Sequence, residues 1–170
     1  MRRLLEALEK DNLVALRKLL DSGEIDLSQE VIIGEEYELD EPDEVPLLSY
    51  AISSGVSLEA IELLLEGGID IAEVNREGIG AIDIAIKHKR MDILKLCEDR
   101  GIDLLGSRRK SGMTPLILAA SFNDREIVSY LIERGADIHV KDHYGMTAAD
   151  YAKRMGLEKM QSFLENLEES

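Results

Sequence analysis

Residues 112–120 read GMTPLILAA, and this stretch decides the fold because it joins a helix start to a pair of alanines. Thr114 can act as an N-cap, since its hydroxyl can accept a hydrogen bond from a backbone N–H of the first turn. Pro115 suits the first helical position, where its missing N–H needs no intrahelical partner. Ala119 and Ala120 have almost no side chain, so another helix can approach this face closely. The stretch therefore predicts a helix that packs against copies of itself.

Copies of the stretch recur along the chain. Ala51, Ala85, Ala119 and Ala152 follow one another at spacings of 34, 34 and 33 residues, and Ala7 lies 44 residues before Ala51. Four positions after each alanine comes one member of a turn column: Asp11, Gly55, Lys89, Asn123 and Gly156. Because glycine and asparagine enter the left-handed region most easily, this column predicts the end of a first helix. A second helix follows in each copy, and four copies then reach another glycine: Gly23, Gly68, Gly101 and Gly135.

A period of 33 or 34 residues built from helix, turn, helix and loop is typical of a solenoid, and here the chain resembles the ankyrin repeat family. Residues 112–142, GMTPLILAASFNDREIVSYLIERGADIHVKD, match the family pattern, although Ile117 replaces its usual histidine. More degraded copies are PLLSYAI at 46–52, GAIDIAI at 80–86 and TAADYAK at 147–153.

The resemblance implies an all-α fold, an ankyrin-repeat solenoid of about five helix-turn-helix repeats with short inter-repeat hairpin loops and one longer acidic insertion. We expect a single ankyrin repeat domain over residues 1–170. Its repeats are expected at about 1–29, 45–75, 78–109, 112–142 and 145–170, with the insertion at about 30–44.

The composition agrees with such a fold. The chain has 170 residues, of which 45% are hydrophobic and only 4% aromatic, so we expect a core of leucine, isoleucine and alanine between helices. The N-terminal MRRLLEALEK is broken by charges and predicts no signal peptide, and no apolar run is long enough to span a membrane. The lone Cys97 excludes an intrachain disulfide and favours a reducing, cytoplasmic setting.

Residues that could carry chemistry are few. Cys97 occupies the same repeat position as Leu65 and Leu131, which predicts a buried core residue. His139 and His143 flank Asp142, but structural metal sites usually need four ligands and this loop offers three. The sequence TAAD at 147–150 fits a capping box, which is a structural role. We therefore predict that the protein is not an enzyme and has no metal or cofactor.

In the ankyrin family, which the chain resembles, partners contact the loop tips between repeats and the exposed ends of the first helices. Carried onto this sequence, the resemblance implies a partner-binding set on the concave face: Arg76, Lys87, His88, Arg108, Arg109, Lys110, Phe122, Lys141, His143, Tyr144 and Arg154.

This set holds seven Lys or Arg in a chain of formal net charge −15, so it predicts a protein partner with an acidic surface. Phe122 and Tyr144 are its candidate aromatic anchors. The alternative is that loop tips collect solvated charge without any partner. The strong overall negative charge argues against nucleic acid as a partner, and we expect no membrane binding and a monomer.

The insertion from Glu30 to Glu44 reads EVIIGEEYELDEPDE and holds eight acids and no base. The letters VII and EEYEL predict two short strands about a turn at Gly34, and the alternative is a flexible acidic loop that aids solubility. Two functions follow from the whole sequence. The first is a non-enzymatic protein–protein interaction module. The alternative is an acidic inhibitor or immunity-type protein that blocks a basic target such as a nuclease.

Overall fold

The computed structural model describes residues 1–33 and 43–168. Within these ranges the chain forms ten helices and one two-stranded hairpin. The helices follow one another as five pairs: α1 (Arg2–Glu9) with α2 (Leu13–Asp21), α3 (Leu47–Ser53) with α4 (Leu58–Glu66), α5 (Ala81–Lys87) with α6 (Met91–Asp99), α7 (Pro115–Ser121) with α8 (Arg125–Glu133), and α9 (Ala148–Arg154) with α10 (Glu158–Glu168). The predicted all-α fold of five helix pairs is confirmed.

The contacts between these elements group into two compact units, Met1–Asn75 and Arg76–Ser170. The first unit holds α1 to α4 and the hairpin, and within it α2 packs on α4. The second unit holds α5 to α10, and within it α7 packs on both α5 and α9. In the second unit, first helices therefore pack against first helices, as the alanine spacing predicts. A single domain over residues 1–170 stays a prediction.

The helix starts form as the sequence predicts. Ile117 donates its backbone N–H to the Thr114 hydroxyl at 3.3 Å, and Pro115 is the first residue of α7. In the capping box of α9, Asp150 donates its backbone N–H to Thr147 Oγ1 at 3.2 Å, and Thr147 donates its own N–H to Asp150 Oδ2 at 2.9 Å. These bonds satisfy first-turn N–H groups that have no partner inside the helix.

The turn column ends the first helices through left-handed residues. Lys89 and Asn123 have φ values of 56° and 57°, and Asp11 has 47°. The residue after each of them donates its N–H back to the repeat alanine, as in Arg90 N to Ala85 O at 2.8 Å and Asp124 N to Ala119 O at 3.1 Å. Such a bond satisfies a carbonyl at the helix end. The alanine column and the turn column are thus two parts of one helix-ending motif.

The alanine column lies in the core of each unit. Ala85, Ala119 and Ala152 are completely buried in α5, α7 and α9, and α7 packs on both of the other helices. Cys97 is also completely buried, which confirms its predicted place in the core, and burial raises the pKa of its thiol to about 12. A thiol with so high a pKa is a poor nucleophile at neutral pH.

Replacing Ala119 or Ala85 with leucine should lower the free energy of unfolding by about 2 kcal/mol, because added methylenes overpack a closed helix contact. Urea unfolding of each variant measures the effect. Ala149→Leu is the matched control, since Ala149 lies in the first turn of α9 and is only half-buried. Equal stability of Ala119→Leu and the wild type would contradict the packing described for α7.

The hairpin in the first unit differs in part from its prediction. Strand β1 (Val31–Ile33) forms where the letters VII predict it, but its partner is β2 (Asp43–Val45), with Val31 opposite Val45. The prediction of a pairing with EEYEL about a turn at Gly34 is therefore wrong for the partner strand. Residues 34–42, which include most of the acidic residues of the insertion, lie outside the described residues. Val31 is buried, so its apolar side chain fixes the inward face of the hairpin.

The terminal helix pairs have the polar outer faces expected of end repeats. The charged side chains at these positions are exposed: Arg3, Lys10, Arg17, Lys18, Glu158, Lys159, Glu165 and Glu168. Among the helices described, none has the length and apolar character that crossing a bilayer requires.

Candidate partner-binding site

Three loop tips of the second unit are joined to one another by main-chain hydrogen bonds. We define tip 1 as residues 76–80, tip 2 as 107–112 and tip 3 as 142–147. Lys110 in tip 2 donates its N–H to the carbonyl of Glu77 in tip 1 at 3.1 Å. His143 in tip 3 donates its N–H to the carbonyl of Ser111 in tip 2 at 2.9 Å. The same bond thus recurs one repeat apart and sets the tips in a fixed register.

Tips 1 and 2 approach so closely that a side chain at Gly78 is excluded. Gly78 has φ of +77°, and a Cβ added there would lie 1.9 Å from the carbonyl oxygen of Arg108. Glycine is required here both for its conformation and for its missing side chain. The ammonium of Lys110 also lies 3.1 Å from Glu77 Oε1, but both side chains are about two-thirds exposed, so this ion pair stabilises little.

Arg109 stabilises tip 2 through an ion pair. Its Nε lies 3.2 Å from Asp83 Oδ1, and both side chains are largely buried. Asp83 Oδ2 accepts the backbone N–H of Gly80 at 3.0 Å, so this carboxylate joins tip 1 to tip 2. Burial raises the pKa of Asp83, and the Gly80 N–H and the Arg109 charge partly offset that rise. Arg109 is thus committed to holding the tips together.

Tip 3 is built around the buried carboxylate of Asp142. Its Oδ1 accepts the backbone N–H groups of Tyr144 at 2.9 Å and Met146 at 3.0 Å, and its Oδ2 accepts the hydroxyl of Tyr151 at 2.6 Å. Burial acts to raise the pKa of Asp142, but these hydrogen bonds outweigh it and lower the pKa below its ordinary value. Both oxygens of the carboxylate are therefore occupied by donors of the chain itself.

The neighbouring histidines differ in their surroundings. His143 bonds through Nδ1 to the carbonyl of Lys110 at 2.7 Å, and its ring lies against Gly112. His139 lies 4.0 Å from Glu168. In the ranges 1–33 and 43–168, no group of three or more His, Cys, Asp or Glu residues could hold a metal ion. His143 therefore has a positioning role between tips 2 and 3.

The first-helix ends present apolar and basic side chains at matching positions. His88, Phe122 and Met155 are the C-cap residues of α5, α7 and α9. Because α7 packs on α5 and α9, these three positions are neighbours. Phe122 is 39% exposed and Met155 is 55% exposed. Burial, followed by the charges of Lys87 and Arg90, lowers the pKa of His88, so its imidazole is neutral at physiological pH.

All eleven residues predicted to bind a partner lie in the second unit, and ten of them are exposed. Arg109 is the exception. The predicted positive charge is smaller than the sequence suggests, since Arg109 and Lys110 are paired with Asp83 and Glu77. Sequence reasoning missed Asp83 as the support of tip 2 and considered Asp142 only as a metal ligand. The sequence DHYG at 142–145, an aspartate three residues before a glycine, is a turn signal that could have identified Asp142.

Comparison with known proteins gives consistent similarities. Residues 99–152 match the family model for ankyrin repeats in many copies. The chain is 31% identical over 91 residues to the mouse B-cell lymphoma 3 protein homolog, which covers 54% of this chain and 20% of that protein. It is 28% identical over 139 residues to human short transient receptor potential channel 4, covering 79% of this chain and 14% of the channel.

A third relative is the NF-kappa-B inhibitor cactus of Drosophila melanogaster, which is 26% identical over 98 residues, or 56% of this chain and 20% of cactus. The chain thus spans a fifth or less of the length of each of these relatives.

Proposed function

Because the chain belongs to the ankyrin repeat family, we propose that it is a non-enzymatic module that binds a protein partner through the loop tips and first-helix ends of its second unit. The observation that carries this proposal is the placement of the exposed apolar side chains. Five large hydrophobic side chains are exposed among the described residues, and Phe122, Tyr144 and Met155 lie at tips or first-helix ends. Aromatic side chains of this kind are typical anchors of protein interfaces.

The rigidity of the tips supports the same function. The hydrogen bonds between tips 1, 2 and 3, together with the largely buried carboxylate of Asp83 and the buried carboxylate of Asp142, hold the tips in place before any partner arrives. A surface that is ordered in advance loses less conformational entropy on binding. Tyr144, which is 76% exposed, is presented by the turn that Asp142 fixes.

The charge of this surface favours an acidic partner. Arg76, Lys87 and Lys141 are exposed basic residues that lie in, or next in sequence to, the tips and first-helix ends. Added salt should therefore slow association, because exposed charge attraction is screened over about 8 Å at physiological ionic strength. A cytoplasmic location, a monomeric state and an acidic surface on the partner stay predictions.

Binding kinetics of two sets of variants test this function against a partner isolated by pull-down and mass spectrometry. Arg108→Glu with Lys110→Glu should mainly slow association, because charges at the rim of an interface act on the encounter rate. Phe122→Ala should speed dissociation about 30-fold, which corresponds to about 2 kcal/mol for a hot-spot aromatic. Val140→Ala is the control, because Val140 is exposed to 36%, close to the 39% of Phe122, but lies before tip 3.

A second candidate function rests on the acids between Glu30 and Glu44 and on the net charge of −15. An acidic inhibitor would block a basic target through this segment. Neutralising Glu35, Glu36 and Glu38 together separates the two functions. Loss of binding in that variant, with wild-type kinetics for the Phe122 and Arg108/Lys110 variants, would replace the interaction module by the inhibitor.

A further inference from the structure

An open groove of about 540 Å³ runs between α2 and α4 in the first unit. Leu13 and Val14 of α2 and Leu63 of α4 form its apolar part, and charged side chains of both helices form its rims. The groove is lined entirely by residues of Met1–Asn75, so none of its lining residues belongs to the tips. We call it the outer groove.

Val14 is unusual among the second helices. It is the second residue of α2, and the second residues of the other four second helices are all charged: Glu59, Asp92, Glu126 and Lys159. Its side chain is nevertheless 68% exposed. The second position of a second helix is therefore normally taken by a charged residue. Only in the first pair does it carry an apolar side chain, which lies at the edge of a groove.

The α4 rim of the groove is acidic. Glu59, Glu62 and Glu66 follow one another at intervals of three and four residues, which places them along one face of the helix. Glu66 lies 3.6 Å from the guanidinium of Arg17 across the groove. Glu59 and Glu62 form no ion pair with any residue that the structure describes. The rim thus binds one guanidinium already and has two further carboxylates available.

We propose that the outer groove binds a cationic amphipathic helix of a partner protein. An apolar side chain of that helix covers Val14 and Leu63, and its lysine or arginine side chains reach Glu59 and Glu62. Both α2 and α4 have nine residues, so the groove fits two to three turns of helix, roughly 13 Å at 1.5 Å per residue. The groove is lined by four carboxylates, of Asp21, Glu59, Glu62 and Glu66, and by two basic side chains, of Arg17 and Lys18. Its net charge of −2 attracts a cationic helix and repels an acidic one.

The test uses a fluorescein-labelled peptide of about 14 leucine and lysine residues in amphipathic helical order, about 21 Å long as a helix. A scrambled peptide of identical composition controls for attraction to the acidic chain as a whole. Fluorescence anisotropy should show that the wild type binds the amphipathic peptide about tenfold more tightly than the scrambled one. Equal affinity for the two peptides, or no binding of either, would overturn the proposal.

Variants of the full chain then assign the binding to the groove. Val14→Glu, which gives α2 a charge as in the other four pairs, should weaken binding of the amphipathic peptide about tenfold. Glu59→Lys with Glu66→Lys should weaken it at least as much. Glu126→Lys with Glu133→Lys makes the same change in charge at the same positions of α8 and should change the affinity less than about twofold.

Equal losses in the α4 and α8 variants would mean that only net charge matters, and they would overturn the proposal. Sedimentation of the free protein tests another occupant. A dimer that forms in the wild type and is lost in Val14→Glu, without peptide binding, would assign the groove to a second copy of the chain instead. Urea unfolding should be the same for Val14→Glu and the wild type, because the Val14 side chain is exposed.

Discussion

Replacing Gly78 with alanine is expected to lower the free energy of unfolding by about 4 kcal/mol. Part of the cost is conformational. Gly78 has φ of +77°, and an alanine with this φ is strained even where there is space for its side chain. The larger part is steric. The new Cβ would lie 1.9 Å from the carbonyl oxygen of Arg108, and this main-chain atom can move only if tip 2 moves with it.

The chain supplies its own control for this effect. Gly145 occupies the position of Gly78 two repeats later, with φ of +76°, but a Cβ added there meets no atom within 4 Å. Gly145→Ala should therefore show the conformational cost alone, about 1 kcal/mol. Gly112 is the intermediate case, because its added Cβ would lie 2.5 Å from the movable ring of His143.

Urea unfolding should thus show the largest loss of unfolding free energy for Gly78→Ala, a smaller loss for Gly112→Ala and the smallest for Gly145→Ala. The difference between Gly78→Ala and Gly145→Ala measures the steric contact between tips 1 and 2. Equal losses in these two variants would contradict the close approach at Arg108. If Gly78→Ala still folds, it should also weaken partner binding, since Arg108 and Lys110 would no longer keep their register with Glu77.

The repeat architecture could be predicted from the sequence because each repeat is specified locally. Within one repeat, the helix cap, the alanine and the turn-column residue lie within about 12 residues of one another. Each of these residues suits its position for a reason that does not depend on the rest of the chain. Thr114, Asn123 and Asp150 each take the conformation or hydrogen bond that their residue type favours. Repetition at a fixed spacing then predicts which helices pack together.

The contacts between tips could not be predicted in the same way. Arg109 follows Arg108 and precedes Lys110 in a basic run, and nothing in that run distinguishes the one arginine that turns inward to Asp83. The distinction arises from packing between repeats, which places the Nε of Arg109 at 3.2 Å from the largely buried carboxylate of Asp83. The partner of β1 was missed for a related reason. The apolar residues of a short strand determine which of its faces is buried. The partner strand depends on the length of the connecting loop, which the residues of the strand do not indicate.

The second large effect is expected at Asp142. Asp142→Ala should lower the free energy of unfolding by about 3 kcal/mol, because it leaves three donors without their acceptor. The matched control is Asp137→Ala. Asp137 accepts one hydrogen bond, from the N–H of His139 at 2.8 Å, and it is exposed, so its loss should change stability by less than about 1 kcal/mol.

The pH dependence of the Asp142 contribution gives a sharper test with Asp142→Asn, which keeps the shape of the side chain but carries no charge. The folded protein holds the pKa of Asp142 below its ordinary value of 3.8. A carboxylate with a lowered pKa stabilises the folded state fully above its unfolded pKa, and this stabilisation is lost as the pH falls through the folded pKa.

The stability gap between the wild type and Asp142→Asn should therefore be constant near neutral pH and should narrow as the pH falls below about 4. The other carboxylates titrate equally in both proteins and cancel from this difference. A gap that does not change with pH would mean that the charge of Asp142 contributes nothing to the turn. The position of the exposed Tyr144 should depend on pH in the same way, because its backbone N–H donates to Asp142. Partner binding should therefore weaken in acid, as the turn that presents the Tyr144 ring loses stability.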